Sequence, residues 1–427
     1  MDAVDDKTYY KSTLRNGLRL VTAPMPHTRS VSVSAYVGAG SRYERPVEAG
    51  LSHFVEHLCF KGTEKRPTPR EISEVIDGVG GVLNAGTDRE LTVFYCKVAR
   101  PHLELAIDVL VEMLRSPLFA PDEVEKERKV ILEELAMVAD SPSQQVDILI
   151  DEVLWPDQPL GWDVAGNAES VAGITRQMAF DYLHRQYVPN NTVVSVAGNV
   201  SPEEVEDLIE KALGDWERGS PQGWFPAVNG QSGPRSAVRY KKTEQAHLSL
   251  AVRGLSNQHP DRYALDLLSV VLGEGMSSRL FLELREHLGL CYDVHSYVSH
   301  FLDAGAFSIY AGVDPANAVE TVRALLVELD RLREGIPADE LTKAKELSKG
   351  RLLLRMEDTR NVSGWLGGQE ILTGRIRTAD EVVDILDALT VDHLARVAGE
   401  LLVTDQLNLA VVGPFRSERR FASLLKL

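Results

Sequence analysis

Short runs rich in β-branched residues punctuate this chain, and between them apolar residues recur at helical spacing. Residues 18–22 and 31–37 alternate and carry Val and Thr, so they are predicted strands. Residues 50–62 contain no proline, hold glycine only at the two ends and space their apolar positions as a buried helix does. A second helix is expected from Pro69 to about Ile76, closed by Gly80-Gly81, followed by paired strands over 82–87 and 91–98. The next helix runs from Pro101 to about Arg115 and places Leu105, Val109, Leu110 and Leu114 at apolar positions. Another begins at Pro121-Asp122-Glu123, with acidic residues in the first turn where the helix dipole favours them, and continues past Glu134. Residues 192–198 read as a buried strand, and Ser201-Pro202-Glu203-Glu204 as the capping-box start of a further helix.

Residues 219–234, with their Gly, Ser and Pro, form the evident linker, and the second half of the chain echoes the first across it. Pro101 is matched by Pro315 at an offset of 214, Asp122-Glu123 by Asp339-Glu340 at 217, and the strand around Val194 by that around Leu409 at 215. Three anchors at nearly one offset indicate the duplication of a unit of roughly 200 residues. The predicted class is therefore α+β: two homologous domains, 1–218 and 235–427, each a mainly antiparallel sheet covered by helices.

At 427 residues the chain is too long for one typical core. With 44% hydrophobic and 26% charged residues it is composed like an ordinary globular protein. A net charge of −17 argues against nucleic acid as a partner, since phosphate binding needs a basic patch, and is compatible with cationic substrates. Cys59, Cys96 and Cys291 are too few and scattered for a disulfide framework, which favours a reducing compartment. The acidic stretch from Met1 to Lys7 lacks an apolar h-region, so no secretory signal is expected, and no apolar run is long enough to predict a membrane span. The expected location is cytoplasmic, most simply in a bacterium.

The candidate chemistry lies in residues 50–62. On a helix His53 and His57, four residues apart, project from one face about one turn apart, the spacing that places two nitrogens on one metal ion. Glu56 follows His53 by three, close enough to touch a water on that metal. The order His-x-x-Glu-His inverts the commoner zinc-protease motif. Without a metal the same residues would form a satisfied polar seam on the helix. The counterpart stretch in the second half, 267–273, has no His or Glu, so the site belongs to one copy alone and looks like chemistry. A catalytic zinc needs a third protein ligand. Glu127 and Glu134, two turns apart on one face of the 121–135 helix and flanked by Val130, Ile131 and Leu135, are the candidates; Glu133, rotated away by about 100°, is expected in solvent. A charged surface helix is the plainer reading of the same residues.

His53-Phe54-Val55-Glu56-His57, with Glu134 coming 77 residues after His57, resembles the inverzincin peptidases of the pitrilysin (M16) family. The subfamily it is most similar to contains the mitochondrial processing peptidase β subunit and bacterial homologues. Phe60-Lys61-Gly62-Thr63, the stretches 80–85 and 87–92, and 284–292 in the second half extend the resemblance over nearly the whole chain. It implies one Zn2+ per chain held by His53, His57 and Glu134, with Glu56 as general base and Glu127 as the outer carboxylate orienting the site. Asn84 and Ala85 would lie on an edge strand to which an extended peptide adds, and Arg285 and Tyr292 would hold substrate or help stabilise its oxyanion. The implied activity is a zinc metalloendopeptidase acting on peptides or unfolded segments. The implied assembly is a homodimer closing a chamber, in which Arg285 and Tyr292 come from the partner chain. The family also contains non-catalytic structural or partner subunits, which generally lack the motif or its base; a heterodimer of that kind is the alternative.

Overall fold

The computed structural model of the protein describes residues 8–427; the stretch from Met1 to Lys7, on which the signal-peptide expectation rests, lies outside the described residues. Eleven strands form two sheets among the described residues. The first holds β1 (Tyr10–Thr13), β2 (Arg19–Pro24), β3 (Ser30–Val37), β4 (Val82–Thr87), β5 (Thr92–Ala99) and β6 (Thr192–Gly198) in the order β1-β2-β6-β3-β5-β4. The second holds β7 (Arg235–Tyr240), β8 (Ala246–Arg253), β9 (Cys291–His300), β10 (Gly305–Val313) and β11 (Asn408–Gly413) in the order β7-β11-β8-β10-β9.

The two orders are the same once β1, which the sequence pattern did not announce, is set aside. Each sheet has one parallel pair, β2 with β6 and β7 with β11, and is otherwise antiparallel. The expected α+β duplication is thus present as topology. The fold is a mixed α/β architecture of two sheets and many helices.

The predicted domain boundaries need correction in two segments. By contacts, the first compact unit comprises the described residues up to Leu135, Asp163–Phe225 and Leu353–Thr378. The second comprises Ala136–Trp162, Pro226–Leu352 and Ala379–Leu427. Each half of the sequence therefore gives one helical segment to the unit built mainly by the other half. The reason is visible at the sheets. Strand β6 is buried along its whole length, as a strand covered on both faces must be. On one face Val31, Val33, Phe94, Val194 and Val196 pack into the main core with Leu51, Phe54, Val55 and Leu58. On the other, Val21, Ala23, Tyr36, Val193 and Ala197 pack with Leu366 and Ile376 from the late segment.

That segment's helix, Thr359–Thr373, is also fixed by polar contacts. Ser363 Oγ donates to the Ser195 carbonyl at 2.9 Å and pairs with Ser34 Oγ at 2.9 Å, and Thr359 Oγ1 pairs with Ser32 Oγ at 3.0 Å. In the second unit the helix Pro142–Leu154 does the equivalent service: Val146, Leu149 and Ile150 pack with Ala251, Tyr310, Ala410 and Val412. No helix among the described residues is long and apolar enough to cross a membrane.

A contiguous fragment 1–218 should therefore be defective. It lacks the cover over Val21, Ala23, Tyr36, Val193 and Ala197. Expressed alone, it should self-associate and bind a hydrophobic dye, and fusion of residues 353–378 to its end should reduce both; a monomeric, dye-silent fragment would contradict the exchange of segments.

Candidate metal centre

The helix Leu51–Cys59 turns a buried apolar face, Phe54, Val55 and Leu58, into the first unit's core, which leaves His53, Glu56 and His57 on its half-buried side. Its start is fixed tightly. Gly50 has φ +88°, and a Cβ there would stand 2.5 Å from the Ala165 carbonyl oxygen, so only glycine lets the two backbones meet. The buried carboxylate of Glu44 caps the first turn: Gly50 N–H donates to Oε2 at 2.8 Å and Ser52 N–H to Oε1 at 2.6 Å. Burial pushes Glu44 up to about 7, although these hydrogen bonds pull the other way. No fixed local spacing links Glu44 to the helix, so no pattern in the sequence marks this cap.

The two imidazoles meet edge to edge, with Nε2 of His53 and Nε2 of His57 3.2 Å apart. Glu134, from the helix Pro121–Asp140, brings Oε2 to 4.0 Å from His53 Nε2 and 3.7 Å from His57 Nε2. Ligand atoms ~2.0–2.2 Å from a tetrahedral zinc stand roughly 3.3–3.6 Å from each other, so these separations fit one ion after a small inward movement of Glu134. The set is two nitrogens and one carboxylate, donor types that zinc accepts. Among the described residues this is the one group of three His, Cys, Asp or Glu side chains close enough to share a metal.

Glu127 sits one oxygen on each of two partners. Oε2 lies 3.0 Å from His57 Nδ1, and Lys61 Nζ donates to Oε1 at 2.8 Å. A bond at Nδ1 fixes the ring and directs Nε2 toward the metal position. Burial resists the charge on Glu127, but the His57 and Lys61 contacts together hold its carboxyl below the usual range. For His57 burial opposes protonation, yet the Glu127 bond and the neighbouring Glu134 and Glu56 carboxylates raise its pKa. His53 goes the other way: burial and the nearby His57 lower it to about 4, leaving a neutral ring with a free lone pair near neutrality.

Glu56 is mostly enclosed, and burial raises its pKa against the lowering effect of Thr87 and His57. Thr87 Oγ1 donates to Glu56 Oε2 at 2.6 Å. Thr87 closes strand β4, which is the edge of its sheet and carries Asn84, exposed, and Ala85, half-buried. Asn84 Oδ1 accepts from the Ala85 N–H at 2.8 Å. The β4–β5 turn is pinned from below by the buried Arg42, whose Nη1 donates to Glu90 Oε1 while Nε donates to the Phe225 carbonyl at 3.0 Å.

The structure thus brings His53, Glu56, His57, Glu127 and Glu134 together, and puts Asn84 and Ala85 on a sheet edge joined to them through Thr87. Glu133 is exposed as expected; of the three residues expected to flank the inward face, Ile131 is buried, Leu135 is half-buried and Val130 is 42% exposed. Arg285 and Tyr292 lie in the second unit and touch each other: the guanidinium carbon is 4.4 Å from the Tyr292 ring centre, and Nη1 donates to the Tyr292 carbonyl at 3.0 Å. Arg285 is half-buried in the π-helical turn Phe281–His287, and Tyr292 beside it is 75% exposed. Lys61 and Thr87 were legible only as parts of longer matching stretches, not as partners of Glu127 and Glu56.

Residues 19–167 match the family model described as insulinase, peptidase family M16, and residues 173–348 match the peptidase M16 inactive domain. A Bacillus subtilis protein described as an uncharacterized zinc protease is 38% identical over 407 residues, spanning 94% of this chain and 97% of its own. A Mycobacterium leprae protein with the same description is 36% identical over 423 residues, spanning 98% of this chain and 94% of its own. Among solved structures, a protease from Helicobacter pylori matches with a TM-score of 0.90 at 26% identity, covering 95% of this chain and 99% of that one. A Pseudomonas fluorescens structure described as a peptidase M16 inactive domain matches with a TM-score of 0.88 at 18% identity, covering 96% and 99%. At that identity it speaks for the fold alone.

Replacing His57 by Ala or Glu134 by Gln should weaken zinc binding by more than the ~10–100-fold typical of outer partners, while Glu127→Gln should fall within that range. Competition with a chelator reads both; equal affinities for all variants and wild type would refute the donor set.

Proposed function

The chain belongs to the M16 peptidase family, and from that premise we propose that it is a zinc-dependent metalloendopeptidase cutting peptides or unfolded protein segments. The observation that supports this most strongly is the placing of a carboxylate, Glu56, beside a two-His, one-Glu donor set. His53, His57 and Glu134 would hold the ion, and Glu127 would orient His57. Zinc held there would supply Lewis acidity toward a water and the scissile carbonyl. Glu56 accepts the proton of the attacking water and passes it to the leaving amine. Asn84 and Ala85 offer the β4 edge to the main chain of an extended substrate, a mode that reads backbone and so requires a flexible segment. Arg285 and Tyr292 grip the substrate or its developing oxyanion.

The subfamily we favour is that of the processing peptidase β subunit and its bacterial homologues, and the location is the bacterial cytoplasm. Two copies of the chain form a homodimer around a chamber, with Arg285 and Tyr292 of one protomer serving the zinc residues of the other. The inactive-domain match over 173–348 keeps a non-catalytic role as the second reading, but the motif-bearing residues 19–167 match the insulinase model instead.

Two measurements test this. On a quenched, flexible, basic peptide, Glu56→Gln should keep stoichiometric zinc yet lose about 10^2–10^4-fold in kcat. A wild type that holds zinc and cuts nothing across a diverse peptide library would favour the non-catalytic role. Mixing Glu56→Gln with Arg285→Ala should then restore activity lost in each alone, because one site of the mixed dimer has both residues intact. No recovery after subunit exchange would show that Arg285 does not act across a dimer.

A further inference from the structure

Glu56 Oε2 is held by the Thr87 hydroxyl at 2.6 Å, a short bond of the kind a charged acceptor makes. The hydroxyl has only one proton to give, and its surroundings leave that proton for Glu56. Thr92 Oγ1, on the opposite strand and paired with Thr87 in the hairpin register, lies 3.4 Å from Thr87 Oγ1 and 3.0 Å from the Ala39 carbonyl. Thr92 is fully buried and also neighbours the Tyr187 hydroxyl, so its own proton goes to the Ala39 carbonyl, to Thr87 Oγ1 or to Tyr187. None of these draws on the proton of Thr87, and a carboxylate at 2.6 Å is the stronger acceptor for it than a hydroxyl at 3.4 Å.

A Glu side chain on a half-buried helix face has three rotatable bonds, and a general base is effective only when its oxygen stays within hydrogen-bond reach of the proton it removes. Thr87 is also the last residue of β4, whose Asn84 and Ala85 are the candidate docking edge. The β4–β5 turn next to it is anchored by the buried Arg42–Glu90 pair. The strand that would align the substrate and the hydroxyl that aligns the base are therefore one rigid piece.

We propose that Thr87 is a positioning residue for the peptidase reaction: its hydroxyl fixes Glu56 and couples the base to the strand on which substrate docks. The inference rests on the zinc-peptidase reading above. Thr87 acts through Glu56 and not through the metal donors or the substrate main chain, so its loss should slow the chemical step and leave zinc and substrate binding alone.

The test compares wild type, Thr87→Val, which keeps the shape and removes the hydroxyl, and Thr87→Ser, which keeps the hydroxyl. Thr87→Val should lower kcat by about 10- to 100-fold, the range that a misplacement of about 1 Å can produce, with KM changed by less than about twofold. Its zinc affinity by chelator competition should equal that of wild type, and Thr87→Ser should return kcat to within about threefold. A crystal structure of Thr87→Val should show the Glu56 carboxylate displaced or in more than one position. If wild type cuts and Thr87→Val keeps its kcat, or if its zinc affinity and melting temperature fall in proportion to its rate, the positioning role is overturned while the peptidase reading stands. If Thr87→Ser is as slow as Thr87→Val in spite of its hydroxyl, the role is overturned too. If wild type holds zinc but has no peptidase activity, the function reading fails and takes this proposal with it.

Discussion

Two imidazole nitrogens held 3.2 Å apart in a half-buried pocket are the constraint on which the first unit turns. Lone pairs at that distance repel unless a proton or a cation lies between them, and a helix free to twist or slide would separate them. It is not free. At one end Gly50 meets the 165–166 backbone and Glu44 caps the first turn; at the other Lys61 reaches the Glu127 carboxylate that also grips His57. Three carboxylates, Glu56, Glu127 and Glu134, surround the pair, and among the described residues Lys61 is the only Lys or Arg ion-paired to any of them. A divalent cation together with Lys61 would balance those three charges, which is the condition under which burying them is tolerable. The donor types, the spacing and the charge sum all favour the same class of occupant.

Local geometry explains which of these features could be read from the sequence. The facing of His53 and His57 follows from helical periodicity alone, and that of Glu127 and Glu134 from two full turns of another helix. The choice of which helix face turns inward was only partly legible. Val130 suggested an apolar flank but is 42% exposed, and the inward direction is set instead by Ile131 and by the Lys61 and His57 contacts of Glu127. Glu44 was illegible because its reach to Ser52 spans a loop, with no fixed offset of the kind that marks a capping box. Thr87 was illegible because a strand-end hydroxyl next to a carboxylate depends on how a helix packs under a hairpin.

The domain boundaries departed from expectation for a related reason. The apolar residues of Pro142–Leu154 and Thr359–Thr373 state that each helix must be buried, not against which sheet. The two helices come at corresponding places in the repeat, so either sheet would satisfy the hydrophobic pattern. What distinguishes the observed arrangement is specific matching within the first unit: the small, hydroxylated face of Ser32, Ser34 and Ser195 accepts Thr359 and Ser363, and a Cβ at Gly367 would come within 2.4 Å of the Tyr36 ring. Close helix-to-sheet approach of this kind is a tertiary property of which a linker at 219–234 carries no hint.

The duplication also shows what a site demands of its scaffold. In the second unit the helix Arg262–Gly273 stands where the His-bearing helix stands in the first, and it buries Leu265, Leu267, Leu268 and Leu272 almost completely. The same topology is therefore stable with an apolar helix, which needs no outer carboxylate, no ammonium and no buried cap. In the first unit two imidazoles and three carboxylates cluster at one such position, and burial, first among several causes, shifts the pKa values of His53, Glu56 and Glu44 toward their neutral forms. A fold satisfied by leucines would have no reason to maintain that set against its desolvation cost. The asymmetry between the two copies, more than any single contact, identifies the polar cluster as the part of this molecule shaped by chemistry instead of by packing.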